Sequence, residues 1–152
     1  MSLERAIKKL NSYELGITHT LVTRYTNNFR NRILRPYDLN SAEWFVLGLV
    51  YSKTSKGGIR VTDLAAILDV KTTYITAILG TLRIKQYVDT NSDSSDARVR
   101  LIVATNKGET AAKQIETTLR KETEKLLRNQ VSGEEYASYL KVMRKIAQLP
   151  QS

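Results

Sequence analysis

Apolar residues open the chain at Leu3, Ile7, Leu10, Ile17, Leu21, Tyr25, Phe29 and Ile33, with Val22 and Leu34 alongside. Steps of three, four and seven put them on one stripe, which predicts a single long helix from Leu3 to Leu34. Arg35-Pro36 stops it, because proline cannot continue the backbone ladder and disfavours helix at the residue before it. At about 1.5 Å per residue such a helix reaches about 45 Å, too long for one small chain to cover, so part of the stripe is expected to pack on a second chain. Asn40 and Glu43 have the spacing of a capping box, and Trp44, Phe45, Leu47, Val50 and Tyr51 predict a short helix after it. Ser52 to Gly58 is a polar, glycine-rich break.

Two short helical patterns follow closely. Thr62 is placed to cap the first, with Leu64, Ala65, Ile67 and Leu68 as its buried side. Asp69-Val70-Lys71 turns the chain, Thr72 or Thr73 caps the second, and Ile75, Ile78, Leu79 and Leu82 form its buried side. Two short helices, a tight turn and a small residue (Ala65) at the crossing are the pattern of a helix-turn-helix. The outer side of the second helix reads Thr72, Thr73, Tyr74, Thr76, Ala77, Gly80 and Thr81. These are short hydroxylated or small side chains plus one aromatic, and such a face can enter a groove and bond to base edges or phosphates.

Tyr87-Val88 and Val99-Leu101-Val103 predict two strands, with Arg98 and Arg100 sharing the face opposite the apolar residues of the second. The polar stretch from Asn91 to Ala97 is read as the hairpin loop. Thr105-Asn106-Lys107-Gly108 opens a long helix striped by Ala111, Ala112, Ile115, Leu119, Leu126 and Leu127. Ser132 and Glu135 form a second capping box, starting a last helix striped by Tyr136, Tyr139, Leu140, Met143 and Ile146 and ended by Pro150.

Composition narrows the function. Over 152 residues the chain carries 24 Lys+Arg against 15 Asp+Glu, a formal net charge of +9, which favours a polyanionic partner, nucleic acid before membrane surface. The excess is +4 over residues 1–40, +2 over 41–105 and +3 over 106–152, so there is no basic tail and a nucleic acid must meet a folded face. There is no cysteine and a single histidine, His19, which removes disulfides, thiolate chemistry, cysteine redox switches and multi-histidine metal sites. No catalytic residue, metal site or cofactor is expected: nucleophile and histidine are not paired, and Ser55-Lys56-Gly57-Gly58 lacks the phosphate-loop spacing. No apolar run spans a membrane and the amphipathic start is no signal peptide, so the expected compartment is the cytoplasm.

The element order, with Asp63-Leu64-Ala65, Leu68 and Val70, then Ile75-Thr76, Leu79 and Leu82, then Tyr87-Val88, resembles the MarR family of winged helix-turn-helix regulators. Asp96-Ala97-Arg98 matches that family's wing phrase Asp-x-Arg, and Ala104-Thr105-Asn106-Lys107-Gly108 its Leu-Thr-x-Lys-Gly. The chain departs from it at Gln86, where glycine is usual, and at Thr90 and Ala77, where arginine is usual. The resemblance covers nearly the whole chain. It implies a mainly α fold with a small β-hairpin wing, as one domain over 1–152. Residues 1–36 and 106–152 would be a helical dimerisation region, and 41–105 the DNA-binding region.

It further implies a homodimeric, sequence-specific regulator of transcription, a repressor, which binds a pseudo-palindromic double-stranded operator and is released by a small aromatic or amphipathic ligand. The DNA-binding residues would be Lys71, Thr72, Thr73, Tyr74, Thr76, Ala77 and Thr81, with the wing's Arg98 in the minor groove, oriented by Asp96, and Arg100 beside it. His19, Trp44 and Tyr51 are candidates to line the ligand pocket. The alternative is a winged-helix protein-interaction module without a DNA site, favoured by the modest charge of 41–105 and by the arginines missing at Ala77 and Thr90.

Overall fold

The polar pair Asn11-Ser12 interrupts the first apolar stripe, and the backbone breaks there. The computed structural model describes residues 2–92 and 100–148. It contains two helices where one was expected, α1 (Leu3–Lys8) and α2 (Ser12–Leu34). Lys9 and Leu10 close α1 with bonds to the carbonyls of Ala6 and Ile7, and Asn11, extended, caps α2. Asparagine and serine bond to local backbone and so favour a helix start over a helix interior. A 3-10 turn, Arg35–Tyr37, carries Pro36 and ends α2.

Next come α3 (Ser41–Thr54), α4 (Val61–Leu68), α5 (Thr72–Ile84), strands β1 (Val88–Ser92) and β2 (Arg100–Ala104), α6 (Asn106–Leu127) and α7 (Gly133–Ala147). Both capping boxes form: Asn40 with Glu43 on α3, and Ser132 with Glu135 on α7. Thr62 does not cap α4; Arg60 occupies that position and Thr62 is the second residue of the helix. Likewise Lys71, not Thr72 or Thr73, caps α5.

The chain divides into two units, residues 1–115 and 116–152. In the first, α3 is the centre and packs against α2, α5 and β2, while α4 packs on α5. Its core includes Leu34, Val46, Leu47, Val50, Leu64, Ile75, Leu79, Leu82, Ile102 and Ile115, each fully buried. Trp44 is also buried. Phe45, expected on the same apolar side, is 42% exposed beneath the Arg30 guanidinium, 4.8 Å from the ring centroid. Val46 takes the buried position instead. Ile67 is likewise 54% exposed, so Leu64 and Ala65 alone are the fully buried residues of α4.

The strands pair antiparallel, Val88 opposite Ala104 and Ser92 opposite Arg100. The face assignment of β2 is reversed. Ile102 and Ala104, in register with Arg100, are the buried pair, and Leu101 and Val103 are half-buried. The reason is a third extended residue: Ile59 exchanges backbone bonds with Ile102 (3.0 and 2.8 Å) and draws that side of β2 onto the core. Gly58, at φ +113°, makes this approach possible, since a Cβ there would lie 2.6 Å from the Ile102 carbonyl oxygen.

In the second unit, α6 residues from Glu116 onward and α7 line a cleft of about 420 Å³, with Leu119, Leu127, Val131 and Tyr136 among its walls. Arg120 and Arg128 lie on its rim, paired to Glu116 and Glu124 one turn away. On α7 the apolar row stays uncovered, from Tyr136 at 38% to Ile146 at 52% exposure.

Candidate nucleic-acid interface

α4 and α5 are set 113° apart, within the range of helix-turn-helix pairs. The angle is fixed by the turn. Asp69 sits in the left-handed region (φ 52°), and the amides of Asp69 and Val70 donate back to the carbonyls of Ala66 and Ala65. Ala65, buried, leaves room for the crossing.

The buried row Ile75, Ile78, Leu79 and Leu82 points α5 inward, as its spacing predicted. Thr72, Thr73, Tyr74, Thr76, Ala77 and Thr81 are all exposed along the other side. Thr76 Oγ1 donates to the Thr72 carbonyl at 2.9 Å, and Thr81 Oγ1 to the Ala77 carbonyl at 3.4 Å. Tyr74 is half-exposed beside Val70, Lys71 and Thr73, and these four line a shallow cleft at the start of the helix. No acidic residue lies in the first turn of α5, so its positive dipole end is uncompensated by protein charge. Lys71 supplies a cation at that end.

The last turn of α5 is tied down on three sides. Arg83 Nη2 donates to Thr90 Oγ1 at 2.7 Å, linking the helix to β1. Lys85 Nζ donates to both carboxylate oxygens of the buried Glu43, at 2.9 and 3.1 Å, and to the Asp38 carbonyl. Burial opposes the Lys85 charge, but the bond and charge of Glu43, with Asp38, outweigh it and hold the ammonium above its ordinary range. Lys107 Nζ donates to the Lys85 carbonyl at 2.8 Å and lies over the Tyr87 ring. The Tyr87 hydroxyl donates to the Tyr37 carbonyl at 2.9 Å, and burial raises its pKa.

Gln86 follows, in the left-handed region at φ 62°. The amides of Gln86 and Tyr87 donate to the carbonyls of Arg83 and Leu82, the bond pattern that closes a helix around a left-handed residue.

Arg100 is exposed at the first position of β2. Asp96 and Arg98, and with them Val99 and most of the expected loop, lie outside the described residues, as does Pro150. His19 lines a shallow depression along α2 with Thr20, Thr23, Arg24, Asn27 and Asn28, which includes neither Trp44 nor Tyr51. Trp44 is a core residue of α3, and Tyr51 is half-buried on the same helix. Among the described residues no group of three or more His, Asp or Glu could hold a metal ion. Again among these, no single helix is long and apolar enough to cross a membrane.

Sequence reasoning missed the Lys85–Glu43 tie, whose partners lie 42 residues apart and share no motif. Arg83 was passed over too; only its place one residue past Leu82, on the exposed side, could have signalled it.

The sequence matches no protein-family model and no curated protein. Solved structures do match. CouR from Rhodococcus jostii RHA1, bound to p-coumaroyl-CoA, is 19% identical over 95% of this chain and 99% of its own, with a TM-score of 0.80. MepR from S. aureus in complex with DNA is 17% identical over 91% and 97%, at 0.76. A mutant MarR from E. coli complexed with operator DNA is 22% identical over 99% and 100%, at 0.74. The chain thus has the fold of CouR, MepR and MarR, the winged helix-turn-helix that its resemblance to the MarR family implied.

Proposed function

We propose that this chain is a sequence-specific, double-stranded-DNA-binding regulator of transcription that acts as a homodimer in the cytoplasm. The observation that carries the reading is α5: a helix buried on one side by four aliphatic residues, presenting small and hydroxylated side chains with one aromatic, Tyr74, on the other. It is held at 113° to α4 and tied to the hairpin and to α3 at its far end. Two of the three structures named above hold DNA, which supports the same use of the same fold here.

In this reading Thr72, Thr73, Tyr74, Thr76, Ala77 and Thr81 face the major groove, and Lys71 neutralises a phosphate at the start of the helix. Arg98 reaches the flanking minor groove, with Asp96 orienting it and Arg100 adding charge at the base of the wing. The exposed apolar rows of α1 and α2 and of α7 are surfaces for a second copy, whose two reading helices meet successive grooves. The regulator represses by occupying a promoter. A small aromatic or amphipathic ligand releases it by favouring a spacing of the two reading helices that does not fit DNA. The acyl-CoA thioester in CouR supports a ligand of this kind.

Selection from a random duplex pool tests the reading. It predicts enrichment of a pseudo-palindrome with half-sites about 10 base pairs apart. A pool that emerges without enrichment would refute it and favour the protein-interaction module.

A further inference from the structure

From Thr72 to Leu82 the reading helix has no charged, amide or imidazole side chain. Over that span the usual bidentate readers, arginine or lysine for guanine and asparagine or glutamine for adenine, are therefore absent from the exposed face, and Arg83 beyond it is bonded to Thr90. Two of its hydroxyls are also committed. Thr76 and Thr81 donate their single proton to carbonyls one turn back, which leaves each with acceptor lone pairs and a methyl group for a partner. Ala77 adds a third methyl.

Gly80 is the second observation. It lies in the interior of a 13-residue helix, where glycine costs stability relative to alanine. A Cβ at Gly80 would meet nothing within 4 Å, so no packing among the described residues requires its absence. The missing side chain keeps the exposed face low, which is what a surface approached closely from outside requires.

We infer that α5 reads thymine methyl groups: its low, methyl-bearing face selects A·T-rich half-sites by apolar contact rather than by bidentate hydrogen bonds. This rests on the duplex-DNA reading above and specifies what that site recognises. A thymine C5-methyl projects into the major groove and offers a partner to exactly such side chains, alanine and the threonine methyl.

The test replaces thymine by uracil in the half-sites of a selected duplex. Every hydrogen-bonding edge and every phosphate is kept and only the methyls go. Affinity should fall about fourfold for each methyl contacted, with the salt dependence unchanged. Thr76→Ser, which keeps the hydroxyl and removes the methyl, should weaken binding to the thymine duplex by about fourfold and leave binding to the uracil duplex unchanged. Gly80→Ala should raise thermal stability and weaken duplex binding, which separates folding from recognition. Selected half-sites rich in G·C, uracil duplexes bound within twofold of thymine duplexes, or a Gly80→Ala protein that binds as tightly as the parent would overturn the inference. Specific binding that ignores uracil overturns this inference alone; failure to bind any duplex overturns the DNA reading and this inference with it.

Discussion

Gly108 has no room for a side chain. A Cβ there would lie 1.9 Å from the Tyr87 carbonyl oxygen, a backbone atom that cannot swing aside. Gly108→Ala should therefore cost about 3 kcal/mol, the upper end of overpacking penalties, measured by urea denaturation. Gln86 is the opposite case. Its left-handed backbone suits glycine, and its side chain makes none of the bonds that close the turn: these use its amide and carbonyl, the latter accepting from Thr105 at 2.7 Å. Gln86→Gly should stabilise the protein by about 1 kcal/mol, read as a shift in the urea midpoint at constant slope.

Lys85 gives a pH dependence. Its folded pKa is raised, so its contribution is complete below the ordinary lysine value, about 10.4, and is lost as pH rises through the folded value. Tyr87, also raised, adds a loss of the same sign. The melting temperature should fall steeply above about pH 10, and less steeply in Lys85→Met, which at neutral pH is already weaker by about 3 kcal/mol because Glu43 is left buried and unpaired. A Lys85→Met protein with the parent's melting temperature at pH 7 would sink this assignment.

At the scale of elements, α7 shows a cap with a pH signature. The Ser132 amide, donating to the Glu135 carboxylate at 2.8 Å, contributes most to holding that carboxyl below its usual range, with the Ser132 side chain adding to it. The group's folded pKa is depressed, so its support is present above the unfolded value of about 4.3 and is lost as pH falls through the folded one. Circular dichroism on acidification should show helix loss below about pH 4, and Glu135→Gln should remove that step.

Both capping boxes were legible because a cap is a four-residue signal with one physical meaning. The buried row of α5 was legible because its period is strict. The break at Asn11 was hidden by the apolar stripe, which continues in phase on both sides of it. Phe45 and Val46 are adjacent, and period alone could not say which faces the core; a cation above Phe45 settles it. The reversed face of β2 follows from Ile59, a lone bridging residue that has no run of its own to read. The site was legible as a helix face but not as a supported one, since the Lys85–Glu43 and Arg83–Thr90 ties join residues that only the fold brings together.

The molecule as a whole carries its surplus charge away from the reading head: of the +9, only +2 falls in residues 41–105. In the proposed reading the charge supplies attraction for a polyanion, while selectivity falls to the exposed side chains of α5 and to Arg98. Arg98→Ala should lower the salt dependence of duplex binding by about one unit, the mark of one lost phosphate neutralisation. Five apolar residues along α1, the break after it and α2, Ile7, Leu10, Ile17, Leu21 and Tyr25, are each 49% to 56% exposed, more apolar surface than a lone chain usually leaves to water. Sedimentation equilibrium should give twice the 17.2 kDa chain mass, and Leu21→Asp combined with Tyr25→Asp should return the single-chain mass.

The central claim is that α5 meets duplex DNA, and titration of the protein with random-sequence duplex across a salt series tests it most directly. Binding at near-physiological salt should be weak, with a dissociation constant of roughly 10⁻⁴ to 10⁻⁶ M and an affinity that falls linearly on logarithmic axes as salt rises, and a selected site should be bound at least about a thousandfold more tightly. No binding to either duplex, at low salt as at high, would contradict it.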